Sequence, residues 1–272
     1  MLLDGFLFPF ETFVAGRAGP NVPNGNIRGG GGAAARGGGA GERAAPNTMT
    51  TMPRPDGTSG PVRVIFDLDG VIARDDTMAV LIRRQLTSHP VRAILGAPPA
   101  AAWFVLRGLP SMRIRMSRAL GRVALSGLTP SGYAALAARV GSDLGEDPRW
   151  TIAAGLSAAR QYLAAGDDVV VTTGTEELLA RAFLDAIGLP GVRLVATTLR
   201  FDGSVVRYAN HNMGQQKVTN LDGRGGDVFY TDSDLDLPLA LLSDRTILIN
   251  PDSRLARVFR ARVANLTIER WD

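Results

Sequence analysis

The apolar positions of the chain fall into short runs, and several of these runs stop at polar residues able to do chemistry. The clearest is VRVIFDLDG at 62 to 70, where Val62, Val64, Ile65 and Phe66 give way to Asp67, Asp69 and Gly70. A near-continuous β-branched run of that kind predicts a strand buried on both faces of a parallel sheet. DVVVTTGT at 168 to 175 predicts a second strand leading into a helix, with Thr175 as N-cap and Glu176 and Glu177 in the first turn. RLVATTLRFDGSVVRY at 193 to 208 predicts a strand followed by a hairpin at Asp202 and Gly203. DVFYTDSDLD at 227 to 236 predicts another apolar strand ending in Asp232, Asp234 and Asp236, and RTILIN at 245 to 250 predicts the last one.

Helical spacing marks residues 78 to 86, stopped near His89 and Pro90, and then 112 to 125 and 133 to 140. Residues 150 to 165 predict a crossover helix, 214 to 221 a short helix carrying Lys217, and 253 to 263 a C-terminal helix. Roughly ninety residues separate the first strand from the second, whereas a crossover needs only about a dozen, so a module is inserted there. The expected architecture is an α/β doubly wound, mainly parallel sheet. Its core would comprise residues 61 to 77 plus 145 to 272, with a helical cap at 78 to 144. Residues 1 to 60, rich in Gly, Ala, Pro, Asn and Arg, read as a disordered leader or an over-extended start.

Composition removes several chemistries. There is no cysteine, so disulfides, thiol nucleophiles and Cys-ligated metal sites are excluded, and a reducing cytosol is allowed. The apolar N-terminal stretch lacks a basic region and is broken by Asp4, Pro9 and Glu11, which is not the pattern of a signal peptide. No uninterrupted 18-residue apolar segment is present to span a membrane. Of the 30 basic residues all but Lys217 are arginine, so the one lysine stands where a compact ammonium serves and a planar fork would not.

Two carboxylates at the carboxyl end of a parallel strand lie where open α/β sheets bind ligands. Two apart in an extended segment, Asp67 and Asp69 share a face, and can hold a hard cation or act as nucleophile beside general acid. An Asp-Gly turn closing an ordinary strand is the plain alternative. In order along the chain then come Thr173, Lys217 and Asp232 with Asp236. With FDLDG, TTGT, the lone lysine and YTDSDLD in that order, residues 62 to about 263 resemble the haloacid dehalogenase superfamily of phosphohydrolases.

The resemblance implies that Asp67 attacks phosphorus to form an aspartyl phosphate, and that Asp69 protonates the leaving oxygen and later deprotonates water. It implies that Thr173 and Gly174 bind the phosphoryl group and that Lys217 offsets its charge. Mg²⁺ would be held by Asp67, the Asp69 carbonyl and Asp232, with Asp236 in the outer shell. A proton donor at 69 favours phosphate ester hydrolysis or mutase chemistry over dehalogenation. Thr231 departs from the pattern, since glycine often precedes the first aspartate of the fourth motif. The cap position resembles the phosphoserine-phosphatase-like branch, and the apolar cap, TGT, NMGQQKV and YTDSDLD look most like the phosphatidylglycerophosphatase C proteins.

From Met78 to Ser142 there are nine arginines and no acid, so this module is formally +9 against +4 for the whole chain. Residues 91 to 109 are apolar apart from Arg92 and Arg107, and such a segment with arginine flanks suits an anionic headgroup layer. A cap whose arginines are merely its solvated face is the other reading. Arg113, Arg115 and Arg118 are the candidate membrane or substrate contacts. The expected location is cytoplasmic, peripheral at the inner face of the membrane. Partners are a phosphorylated small molecule or a lipid headgroup such as phosphatidylglycerol phosphate, with no nucleic acid. A soluble ester such as phosphoserine is the alternative substrate, and an inactive membrane-associated protein of the same fold is the non-enzyme alternative. His89 is expected to be structural or a C-terminal cap, His211 to lie in a surface loop before the lysine helix or else to reach substrate, and Trp150 and Trp271 to pack.

Overall fold

The structure is a computed structural model that describes residues 60 to 106 and 109 to 271. The leader at 1 to 59 and Arg107 lie outside the described residues. Seven strands form one sheet in the order β4-β3-β2-β1-β5-β6-β7. They are β1 (Arg63–Asp67), β2 (Asp168–Glu176), β3 (Arg193–Asp202), β4 (Val205–Asn210), β5 (Val228–Thr231), β6 (Arg245–Ile249) and β7 (Leu266–Glu269). All neighbours are parallel except β4, which returns antiparallel along β3 through the hairpin expected at Asp202 and Gly203.

The central strands β1, β5 and β6 are almost wholly apolar and buried because both faces of the sheet are covered there. Val64 and Phe66 of β1 enter one core with Val169, Val171, Tyr230 and Ile247. Ile65, one residue out of phase, enters a second core with Val170, Phe229 and Leu248. On the first face the rings of Phe66 and Tyr230 stack at 4.5 Å. Each such side chain contributes roughly 1.5–3 kcal/mol on burial, so the central strands are fixed firmly and their carboxyl ends with them.

The long insertion is helical: α1 (Thr77–Thr87), α2 (Pro90–Val105), α3 (Pro110–Leu125) and α4 (Pro130–Glu146). Asp76 caps α1 by accepting from the Ala79 amide at 2.8 Å. His89 follows the Ser88 C-cap of α1, its amide donating to the Leu86 carbonyl at 3.4 Å, and stands at the N-terminal boundary of α2 with no side-chain capping bond. The helix α5 (Ala153–Ala164) then crosses to β2. Beyond β2 come α6 (Glu177–Ala186), α7 (Gln215–Asn220), α8 (Leu237–Ala240) and α9 (Ser253–Arg260).

Helix α4 is seated on α6. Cβ atoms added at Gly141 and Gly145 would stand 2.6 Å from the Cβ atoms of Ala182 and Ala186, so glycine at this i, i+4 pair is what lets the helices approach. Tyr133 of α4 also donates to buried Glu176 Oε2 at 2.6 Å. The insertion is thus joined to the core along its last helix, not only at its two ends.

Three expectations are corrected. Strand β2 runs to Glu176, so Thr175 is not the N-cap; Glu176 is, and its carboxylate accepts from the Leu178 and Leu179 amides. Strand β6 is not the last, because β7 pairs beyond it at the sheet edge. His211 is not on a surface loop but is 6% exposed. Trp150 and Trp271 pack against the first core as expected.

Candidate active site

Buried β1 delivers Asp67 to the carboxyl edge of the sheet, where the side chain is almost wholly buried. Its Oδ1 accepts from the Leu68 amide at 2.8 Å and meets Lys217 Nζ at 3.0 Å. Lys217 Nζ also lies 2.9 and 3.0 Å from the two carboxylate oxygens of Asp236. One ammonium is thereby enclosed by three oxygens of two buried carboxylates, a geometry suited to a compact charge with rotatable donors.

Several local features put the lysine there. Asn212, between β4 and α7, donates its Nδ2 to the carbonyls of Thr173 and Val195 at 3.0 and 2.8 Å, and accepts from Asn220 Nδ2 at 2.8 Å. This fastens the start and end of the lysine helix to β2 and β3. Gly214 turns the chain into α7 at φ 60 and ψ −130, a conformation left almost entirely to glycine.

Asp69 lies just past β1 and is held from both sides. Its Oδ1 accepts from the amide and hydroxyl of Thr77, each at 2.9 Å. Its Oδ2 accepts from the hydroxyls of Thr173 at 3.1 Å and Thr175 at 2.9 Å. The next residue, Gly70 (φ 79), has to be glycine, because a Cβ there would overlap the carboxylate of Asp232. The turn after the first motif and the end of β5 are therefore in contact. Gly174 offers its carbonyl to Thr197 Oγ1 at 2.7 Å.

Thr231 donates to Asp236 Oδ2 at 2.8 Å and accepts from the Ser233 amide. Where glycine would shape this loop, threonine fixes the carboxylate that faces the lysine. Burial pushes the Asp67 carboxyl well above the usual aspartate range, with Lys217 opposing and Asp236 and Asp232 adding to the rise. Asp236 goes the other way: burial would raise it, but Lys217 and the hydrogen bonds it receives hold it below the ordinary value. Burial alone would favour a neutral Lys217, but its two carboxylate partners outweigh that cost and keep it charged.

Helix α3 lies against this edge. Arg113 pairs with Asp234 at 3.0 Å in a part-exposed contact, and Arg118 Nε donates to His211 Nδ1 at 2.8 Å. His211 is thus a neutral acceptor, its ring pushed down to about 3 by burial and by the Arg118 charge. Arg115 is exposed. Sequence reasoning missed the parts of Thr77, Thr175, Asn212 and His211. For Thr77 and Thr175 the one signal was a hydroxyl close in sequence to the first and second motifs; for Asn212 and His211 no local pattern announces the partner.

Asp67, Asp69, Thr173, Gly174, Lys217, Asp232 and Asp236 all sit on the segments that meet at the carboxyl edge of the central strands. A buried carboxylate–ammonium–carboxylate bridge thus stands at the carboxyl edge of a doubly wound sheet, where open α/β folds bind ligands. The chain belongs to the haloacid dehalogenase-like hydrolase family, whose match spans residues 64–241. Among solved structures it is similar to a protein of unknown function from Bordetella pertussis Tohama I, at 22% identity and TM-score 0.57, covering 77% of this chain and 99% of that one. A phosphoserine phosphohydrolase-like protein from Francisella tularensis matches at 13% identity and TM-score 0.52, over 76% and 94% of the two chains. Cytosolic 5'-nucleotidase IIIB bound to cytidine matches at 12% and 0.52, over 76% and 80%. Identities this low speak to the fold. None of the curated proteins matches. The closer likeness to the phosphatidylglycerophosphatase C proteins rests on short stretches of sequence alone.

Proposed function

We propose that this chain hydrolyses a phosphate monoester through an aspartyl phosphate on Asp67, with Mg²⁺ as cofactor. The observation that carries the reading is the buried Lys217 bridging Asp67 and Asp236, with Asp69 clamped two residues beyond the nucleophile. Membership of the hydrolase family supports it, and so do two structures similar in fold, a phosphoserine phosphohydrolase-like protein and a 5'-nucleotidase.

The residues fit a magnesium ion. Burial raises the Asp67 carboxyl, Lys217 lowers it, and Asp236 and Asp232 add to the rise, so a cation held beside it would favour the charged form the chemistry needs. Among the described residues no three acidic or histidine side chains converge as a metal cage. Mg²⁺ needs no such cage: it takes one or two carboxylates and fills its shell with water and phosphate oxygens. Asp67, Asp232 and the Asp69 carbonyl would hold it. When bound it supplies positive charge to the phosphoryl oxygens and to the nucleophile.

The protein's own groups carry the steps. The Asp67 carboxylate attacks phosphorus and the ester P–O bond breaks, its electrons leaving with the alkoxide. Asp69 gives that oxygen its proton. Water then attacks the acyl phosphate, losing a proton to Asp69, and phosphate departs with Asp67 restored. Lys217 balances the charge gathering on the phosphoryl oxygens and on Asp67. The Thr173 hydroxyl has one proton, so turning it to a phosphoryl oxygen frees an Asp69 lone pair for the proton to be transferred.

Within that reaction class the reading extends to a phosphate borne on a lipid headgroup, such as phosphatidylglycerol phosphate, with phosphoserine as the soluble alternative. Turnover of an aryl phosphate, phosphoserine and phosphatidylglycerol phosphate, before and after chelation, tests both levels. Chelation should abolish turnover and Mg²⁺ restore it, with the lipid ester hydrolysed fastest. Full activity in chelator would contradict the cation's part, and preference for phosphoserine would replace the lipid substrate with the soluble one.

A further inference from the structure

Helix α2 is packed inside out. The side turned to the protein carries small residues, with Gly96 and Ala100 buried and Ala93 and Ala97 packed on the core. A Cβ at Gly96 would already touch Leu86 at 3.0 Å. The large apolar residues point the other way: Val91 is 69% exposed, Ile94 73%, Leu95 59% and Val105 76%, with Pro98 exposed between them. Positions 91, 94, 95, 98 and 105 follow helical spacing, so they form one stripe. Isolated exposed apolar side chains need no explanation, but a stripe of the largest ones opposite a face of alanine and glycine implies something that covers it.

We propose that this stripe docks on an anionic lipid bilayer, with α2 lying in the headgroup layer. Charge selects that occupant. From Met78 to Ser142 no acidic residue occurs among the arginines, and on α3, which lies against α2, Arg115 and Arg122 are exposed and seven residues apart. A second copy would bring an equally basic module against this one. It would also bury too little: a strip about 24 Å long and about 10 Å wide is on the order of 240 Å², against about 800 Å² per partner in a stable interface.

The prolines set the depth. Pro98 and Pro99 lie inside the helix and lack amide hydrogens, so the carbonyls of Ile94 and Leu95 have no donor one turn on. Hydrated headgroups can satisfy those carbonyls and hydrocarbon cannot. Among the described residues no helix is long and apolar enough to cross a membrane, which agrees with a helix that lies on the surface. Because α3 also carries Arg113 and Arg118 onto the site's loops, docking through α2 would place the candidate active site near the headgroups. Only that last consequence rests on the phosphatase reading.

The test is co-sedimentation of the full chain with phosphatidylcholine vesicles and with vesicles containing phosphatidylglycerol, at low and high salt. The double variant Ile94→Gln, Leu95→Gln and the double variant Arg115→Gln, Arg122→Gln are run alongside. Wild type should bind the anionic vesicles in a salt-sensitive way. The stripe variant should lose at least about a hundredfold in affinity, and the arginine variant on the order of tenfold. Turnover of a soluble aryl phosphate by the stripe variant at the wild-type rate shows that it is folded. Vesicle binding by a protein that turns over no aryl phosphate would support the docking surface and overturn the phosphatase reading alone. Failure of the wild type to sediment, equal binding by the stripe variant, or a dimer in solution that the stripe variant abolishes would overturn the docking proposal.

Discussion

Asp67→Asn is expected to fold and to lose at least about four orders of magnitude in turnover, because an amide of nearly the same shape is a very poor nucleophile. The loss should not come from instability. Asp67 is raised in the folded protein by burial first; Lys217 offsets this only in part, and Asp236 and Asp232 add to the rise. A carboxyl raised on folding costs stability from its ordinary value near 3.8 upward, since the unfolded chain gives up the proton first. Asparagine removes that cost and leaves Lys217 paired with Asp236. The metal-free variant should therefore melt no lower than wild type at neutral pH, and any gain should shrink as the pH falls toward that ordinary value. Steady-state kinetics and thermal melts across pH check both halves. A folded variant with wild-type turnover would remove Asp67 from the chemistry.

Lys217→Arg keeps the charge and should still lose roughly 10²–10³ in kcat, the scale of removing one preorganised electrostatic group. The side chain is 3% exposed and its ammonium sits within 3.0 Å of both Asp67 and Asp236. A guanidinium is larger, and its donors lie in a plane that these oxygens do not share. Overpacking of this kind costs about 1–3 kcal/mol, so a lower Tm should accompany the kinetic loss. An arginine variant with full activity would make the lysine incidental.

What the sequence revealed and what it withheld follow from the kind of burial each residue has. Strands β1, β2, β5 and β6 were legible because two-sided burial leaves almost no polar position in Val64–Phe66 or Thr246–Ile249 to obscure the run. Lys217 was legible through composition, as the one lysine among arginines. Strand β7 was not: Leu266–Glu269 lies at the sheet edge, half-buried at every position, and its alternation of Leu266, Thr267, Ile268 and Glu269 is only four residues long, too short to stand out from a loop. Thr175 was misread because a threonine after a strand can cap a helix or extend the strand. The choice was made by Asp69, which takes its hydroxyl, and by Glu176, which caps in its place. The seat of α4 on α6 was hidden in Gly141 and Gly145, ordinary helix weaknesses until the partner helix is known. The bond from Arg118 to His211 spans 93 residues, and nothing local to either side chain encodes it.

Stereochemistry at phosphorus tests the central claim most directly. With a substrate made chiral at phosphorus by oxygen isotopes and sulfur, attack by Asp67 followed by attack of water gives two in-line displacements, each inverting the centre. The account predicts net retention of configuration in the released thiophosphate. Net inversion would mean that water attacks the ester directly, that no aspartyl phosphate forms, and that Asp67 serves only to bind the cation.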